Sequence, residues 1–246
     1  MSIERPPKVG FFCAYTPIPL LDAAGFSPHR LLPVGDWPEE AGALLHENLC
    51  PHVKRALDRA IAGDLPELAG IVVVQSCDAM RRLEEAWQKA RPEDRIGNLD
   101  LPLSADERSV AWMASELERL AATLLKWGGR PVTDEALRAS MGRYAELSAE
   151  LSRLTSLCVE GRLPGGWGSL QEAHNKVVSS PVGEAAAEAA RCIAQAELAP
   201  AIQASGAPLF VLGNVLADPQ AWALIEASGG RMVGDDVCTS GRQLMA

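Results

Sequence analysis

An unbroken β-branched run, Ile71-Val72-Val73-Val74, constrains this chain most. It leads straight into Gln75-Ser76-Cys77 and an amphipathic stretch from Asp78 to Ala90. Successive side chains of a strand point to opposite faces, so a strand built from this run must be covered on both. Helices on either side of a parallel sheet provide that cover. Val9-Gly10-Phe11-Phe12-Cys13 has the same character and reads as a first strand over 8–13. Pro17 to Gly25 reads as a short helix closed by its glycine. His29 to Val34 reads as a second strand, with Pro33 marking a sheet edge. A helix begins at Cys50-Pro51, proline taking the first helical position, and shows Val53, Leu57 and Ile61 on one face. Asp78 to Ala90 is the helix after the third strand, and Leu99 to Pro102 a fourth strand. The alternation predicts an α/β protein with a Rossmann-like parallel sheet over residues 1–103.

Residues 104–206 read as a helical insertion and connector. Ser104 and Glu107 form a capping box for a helix to about Trp127. Gly128-Gly129-Arg130-Pro131 breaks it, and Thr133 caps a second long helix to about Cys158, giving a helical hairpin. Arg162 to Ser180 is rich in glycine and polar residues and reads as a loop, with Trp167 placed to cover a ligand. A helix over 183–199 follows. Residues 207–246 read as a partial second α/β unit: a buried strand Leu209 to Gly213, a helix Pro219 to Ala227 and a strand Arg231 to Val237.

Hydrophobic residues make up 48% of the chain and charged residues 22%, a globular balance that excludes a disordered or fibrous polymer. The net charge of −9 and the lack of any Lys/Arg-rich run argue against nucleic acid as a partner. No apolar stretch reaches the roughly 18 residues of a membrane span, and the N-terminal residues lack a signal peptide's apolar core. A soluble cytoplasmic protein is expected.

Six cysteines are present, and in a cytosolic chain they point away from a disulfide scaffold. Cys158 and Cys192 lie in helical patterns and read as small core residues. The other four stand at element ends. Cys13 closes the first strand, Cys77 follows the third, Cys238 follows the last, and Cys50 opens a helix. Strand ends and helix starts of an open α/β sheet face one crevice, where such folds bind ligands. A helix N-terminus also favours the thiolate, the ligating form. A shared metal site, inert thiols and redox chemistry all remain open at this level.

Seven blocks in order sharpen the reading. They are Phe12-Cys13-Ala14-Tyr15-Thr16-Pro17; Ala24-Gly25; Cys50-Pro51; Val73-Val74-Gln75-Ser76-Cys77-Asp78-Ala79-Met80-Arg81-Arg82; Asp100-Leu101-Pro102; Gly213-Asn214; and Gly234-Asp235-Asp236-Val237-Cys238-Thr239-Ser240-Gly241-Arg242. Together they resemble the iron–sulfur subunits of 2-hydroxyacyl-CoA dehydratases and benzoyl-CoA reductases, over nearly the whole chain. The resemblance implies Rossmann-like domains, a [4Fe–4S] cluster, a homologous partner subunit in a homo- or hetero-oligomer, and an ATP-dependent iron–sulfur activator. It implies low-potential electron transfer to a thioester or another small substrate. Cys50 and Cys77 take the positions of the family's first two cluster ligands. The family's third ligand would lie beyond the eight residues that follow Cys238 here. Cys238, Cys13 or another chain then supplies it, or the cluster is degenerate or absent. The family's first motif continues with glutamates that handle protons, whereas this chain has Ile18 and Pro19. A carboxylate such as Glu39 or Glu40 must reach the site for dehydratase chemistry. The alternatives are a non-catalytic electron-transfer or scaffold protein, or a zinc-binding or structural relic.

Several residues carry plainer readings. Asp78 is expected to cap its helix. Arg81 and Arg82 are expected on a solvated face. Asp235-Asp236 suits a strand-end turn as well as a cation. His46 and His52 flank Cys50 and admit a zinc site with Cys50 and Cys77. His29 and His174 read as ordinary polar residues, most of the tryptophans as packing residues, and Tyr15 either as a donor into the crevice or as a cap on the core.

Overall fold

A computed structural model describes residues 6–202 and 205–244. The chain forms two compact units, one up to Met141 and one from Gly142 onward.

The first unit holds strands β1 (Lys8–Phe11), β2 (Ser27–Arg30), β3 (Gly70–Gln75) and β4 (Ile96–Asp100), with helices α1 (Ile18–Ala23), α2 (Pro51–Ile61), α3 (Asp78–Ala90) and α4 (Glu107–Lys126). The strands form one parallel sheet in the order β2-β1-β3-β4. The β3 run explains the layers. Ile71 and Val73 enter a core with Val53 and Leu57 of α2 and Leu83 and Trp87 of α3. Val72 and Val74 enter the opposite core with Leu20 and Leu21 of α1 and Leu120 and Leu124 of α4. The period of two therefore buries both faces, as the unbroken apolar run requires. This is an α/β fold with a doubly wound sheet. Its strand order reverses direction between β1 and β3, and β2 is an edge as expected, although it spans Ser27–Arg30 and ends before Pro33 rather than running over 29–34. The α1 helix ends as expected: Gly25 has φ +90°, and Phe26 N–H donates to the Leu21 carbonyl at 3.1 Å.

Helix α4 lies on this sheet, with Trp127 close against Gly70 and Gly97. Its N-cap is Asp106, whose carboxylate accepts the Ser109 N–H at 2.8 Å. The cap thus sits two residues beyond the Ser104 expected from sequence. Ser104 instead donates to Asp106. Thr133 does cap helix α5 (Asp134–Val159), accepting the Ala136 N–H at 3.2 Å.

The second unit holds the later part of α5, helices α6 (Gly166–Val177), α7 (Val182–Leu198) and α8 (Pro219–Ala227), and the parallel strands β5 (Ala207–Leu212) and β6 (Gly230–Asp236). The segment expected as a loop over 162–180 contains α6. Its glycine-rich start conceals a buried face of Trp167, Leu170, Gln171, His174 and Val177 at helical spacing. Trp222 of α8 is fully buried. It stacks near Trp167 at 5.5 Å and donates to Gln171 Oε1 and the Leu216 carbonyl at 3.1 and 3.0 Å. Strand β5, expected to be buried, is exposed: Phe210 and Leu212 stand open, because among the described residues only β6 pairs with it. Its apolar run resembles that of β3, but among the described residues the second sheet has two strands and so no inner position to place it in.

Candidate functional site

The direction of the first sheet positions the thiols. The C-terminal ends of β1 and β3 meet at the reversal point of strand order. Cys13 follows β1 there, and Ser76 and Cys77 follow β3. Cys13 Sγ and Ser76 Oγ are 3.1 Å apart, joining the two strand ends by a hydrogen bond. Cys77 is exposed and is the N-cap of α3. Cys50 is half-buried and is the N-cap of α2, with Pro51 at the first helical position. Neither cysteine side chain hydrogen-bonds its own helix, so both sulfurs remain available at the positive ends of two helices that share one core.

Buried polar groups fix the chain around these thiols. Arg30, 1% exposed at the end of β2, donates from Nε to the Phe12 carbonyl at 3.0 Å, one residue before Cys13. His52, two residues after Cys50, is buried close by. Burial first, then the neighbouring Arg30 charge, lower its pKa to about 3, partly offset by the Phe12 carbonyl. His52 is therefore neutral at physiological pH and adds no charge beside Cys50. In the sequence the histidine stands out only as a neighbour of Cys50, and a buried arginine at a strand end leaves no pattern signal.

Asp58 of α2 is also buried. It accepts the backbone N–H groups of Glu40 and Ala41 at 2.8 and 2.7 Å and pairs with Arg55. This anchor lies eight residues beyond Cys50, about 12 Å along the helix. Glu39 and Glu40 are exposed there. The first turn of α1 contains no acid, since Ile18 and Pro19 occupy it.

Cys238 belongs to the second unit, after β6. Arg242 Nη1 donates to its sulfur at 3.1 Å, while the same guanidinium grips Asp236 at 2.9 and 3.0 Å and the Gly213 carbonyl at 3.3 Å. The i to i+4 spacing of Cys238 and Arg242 is the one sequence signal that could have found this pair. Asp235 makes the strand-end turn: its Oδ1 accepts the Val237 and Gly241 N–H groups and the Ser240 hydroxyl.

The remaining candidates settle plainly. Asp78 is the first residue of α3 and not its cap; it pairs with Arg82 on the surface, and Arg82 also pairs with Glu85. Tyr15 is half exposed and does not cap the core; Trp87, Trp167 and Trp222 are buried packing residues, while Trp112 is 41% exposed. His174 is fully buried in α6. Cys158 and Cys192 are core residues, and burial pushes the Cys158 thiol up to about 12. No cysteine is in a disulfide. Among the described residues, no three His, Cys, Asp or Glu side chains are arranged to hold a metal ion. Cys50 and Cys77 thus have the right donor chemistry for an iron–sulfur cluster, but the described residues do not complete a ligand set. No helix among them is long and apolar enough to cross a membrane.

Comparison with known proteins gives the family. The chain is 26% identical over 141 residues to a benzoyl-CoA reductase subunit of Thauera aromatica, covering 56% of this chain and 36% of that protein. The match spans about a third of that relative's length. The family model for the 2-hydroxyglutaryl-CoA dehydratase D-component matches residues 13–246. That match over nearly the full chain shows that this protein belongs to the 2-hydroxyglutaryl-CoA dehydratase D-component family.

Proposed function

We propose that this chain is an iron–sulfur subunit of the 2-hydroxyacyl-CoA dehydratase and benzoyl-CoA reductase type, with Cys50 and Cys77 as ligands of a [4Fe–4S] cluster. The observation that carries the reading is that these two thiols are the N-caps of two helices sharing one core, Cys77 directly after β3 at the sheet's reversal point. Soft thiolates suit iron, and two helix N-termini offset the negative charge of a thiolate-bound cluster. Such a cluster supplies one-electron transfer at low potential when bound. The protein's own contribution is positional. Arg30 holds the Phe12 carbonyl, Ser76 holds Cys13, and neutral His52 keeps a second positive charge away from Cys50.

The third ligand comes from Cys13 in the same unit or from another chain; Cys238, the further candidate, has its sulfur held by Arg242. A homologous subunit and an ATP-dependent activator are the partners this reading requires, in a cytoplasmic setting, with a thioester or another small electron-poor molecule as acceptor.

A second reading, a non-catalytic electron carrier or scaffold, is favoured by one feature. Ile18 and Pro19 offer no proton-handling group at α1, and Asp58 anchors the Glu40 backbone far along α2. Anaerobic purification tests the cluster common to both. A brown protein absorbing near about 400 nm, bleached by a strong reductant, supports it. A colourless protein after iron and sulfide reconstitution leaves a zinc protein or a structural relic. Supplying an acyl-CoA, an activator and a reductant then separates enzyme from carrier.

A further inference from the structure

A cavity of about 380 Å³ lies wholly within the C-terminal unit, where the chain leaves α5, enters α6 and begins β6. Its volume falls in the range of small-molecule sites. The buried side chains of Trp167, Met232 and Cys158 give it an apolar floor. Arg162, Arg231 and Glu226 line it with charge. The wall is built for close approach: Gly165 and Gly166 have φ of +82° and +58°. A Cβ on residue 166 would sit 2.7 Å from a Glu226 oxygen. Only glycine leaves the carboxylate in place.

The charges are unequal. Glu226 already accepts the Trp167 N–H at 3.2 Å, at the start of α6, where the helix terminus offsets its charge. Burial nevertheless raises its pKa, and the Trp167 N–H opposes that rise only in part. Arg162 is braced by the Ala196 and Glu197 carbonyls at 3.4 and 2.6 Å, with no carboxylate partner among the described residues. The Arg231 side chain makes no hydrogen bond or ion pair with any described residue. Two guanidinium groups therefore face one carboxylate beside an apolar floor. Cys158, a neutral thiol, adds to that floor.

We infer that this cavity binds a small carboxylic acid, its apolar body against Trp167 and Met232 and its carboxylate on Arg231. The site is independent of any cluster on Cys50 and Cys77. Isothermal titration of the full chain with phenylacetate and with phenylacetamide, which has the same shape without the charge, tests it. The acid binds at least about tenfold more tightly than the amide. Arg231→Gln abolishes that preference, and Arg231→Lys retains part of it, with circular dichroism reporting the fold of each variant. Equal binding of acid and amide, no saturable binding of the acid, or an unchanged preference in folded Arg231→Gln overturns the assignment. Should Arg231→Gln not fold, the comparison of acid with amide on the unmodified chain and on Arg231→Lys decides.

Discussion

Cys13 Sγ and Ser76 Oγ stand 3.1 Å apart, so a single side-chain pair ties the end of β1 to the end of β3 where the sheet reverses its strand order. The bond sets the spacing of the two loops that carry Cys13 and Cys77. Ser76→Ala removes it and leaves the Cys13 sulfur without that partner. A loss of about 1 kcal/mol is expected in urea unfolding, with the fold retained. Ser76→Cys restores a hydrogen-bonding group and recovers part of the loss.

Asp58 holds the segment before α2 through the Glu40 and Ala41 N–H groups, the first of which it shares with the Pro38 carbonyl. Asp58→Ala should cost about 3 kcal/mol in urea unfolding, more than loss of the surface pair Arg82–Glu85, worth less than about 1 kcal/mol. Proteolysis should then cut first around residues 36–41.

His52 gives a pH dependence with a definite sign. Its folded-state pKa is about 3, below the ordinary histidine value of about 6.5. Between those values the unfolded chain binds a proton that the folded one excludes. The contribution is complete above about pH 6.5 and is lost as pH falls toward about 3. Chemical denaturation at about pH 7 and about pH 4.5 should show roughly 3 kcal/mol of loss from this group. His52→Leu should flatten the profile by that amount, and a variant with the same slope as the parent contradicts the assignment.

Trp222 anchors the second unit through burial and two hydrogen bonds. Trp222→Ala should cost about 4 kcal/mol and Trp222→Phe about 2 kcal/mol, the latter because Gln171 and Leu216 lose their donor while most apolar contact survives. Tryptophan fluorescence during denaturation reads both.

The first sheet is legible in the sequence because its signal is local and redundant. Ile71 to Val74 demands cover on both faces, Gly25 demands a left-handed turn, and Pro51 demands a helix start. Helix α6 is not legible, since Gly165 and Gly166 at its head carry the composition of a loop while its buried face emerges only from Trp167 onward. Strand β5 misleads because an apolar run reports its sequence and not its neighbours: the same pattern is central in β3 and exposed in β5. At the site, the positions of Cys13, Cys50 and Cys77 follow from element ends. The Arg30 bond to the Phe12 carbonyl and the Asp58 anchor join residues 18 and 17–18 apart across folded elements, and no spacing rule announces them.

The most direct measurement is iron bound per chain after anaerobic reconstitution of the parent, Cys50→Ser, Cys77→Ser and, as a control, the core variant Cys192→Ser. About four irons are expected in the parent and the control, and less than about half of that in each of the other two. A parent protein without iron, or full iron in both Cys50→Ser and Cys77→Ser, contradicts a cluster held by these helix-capping thiols.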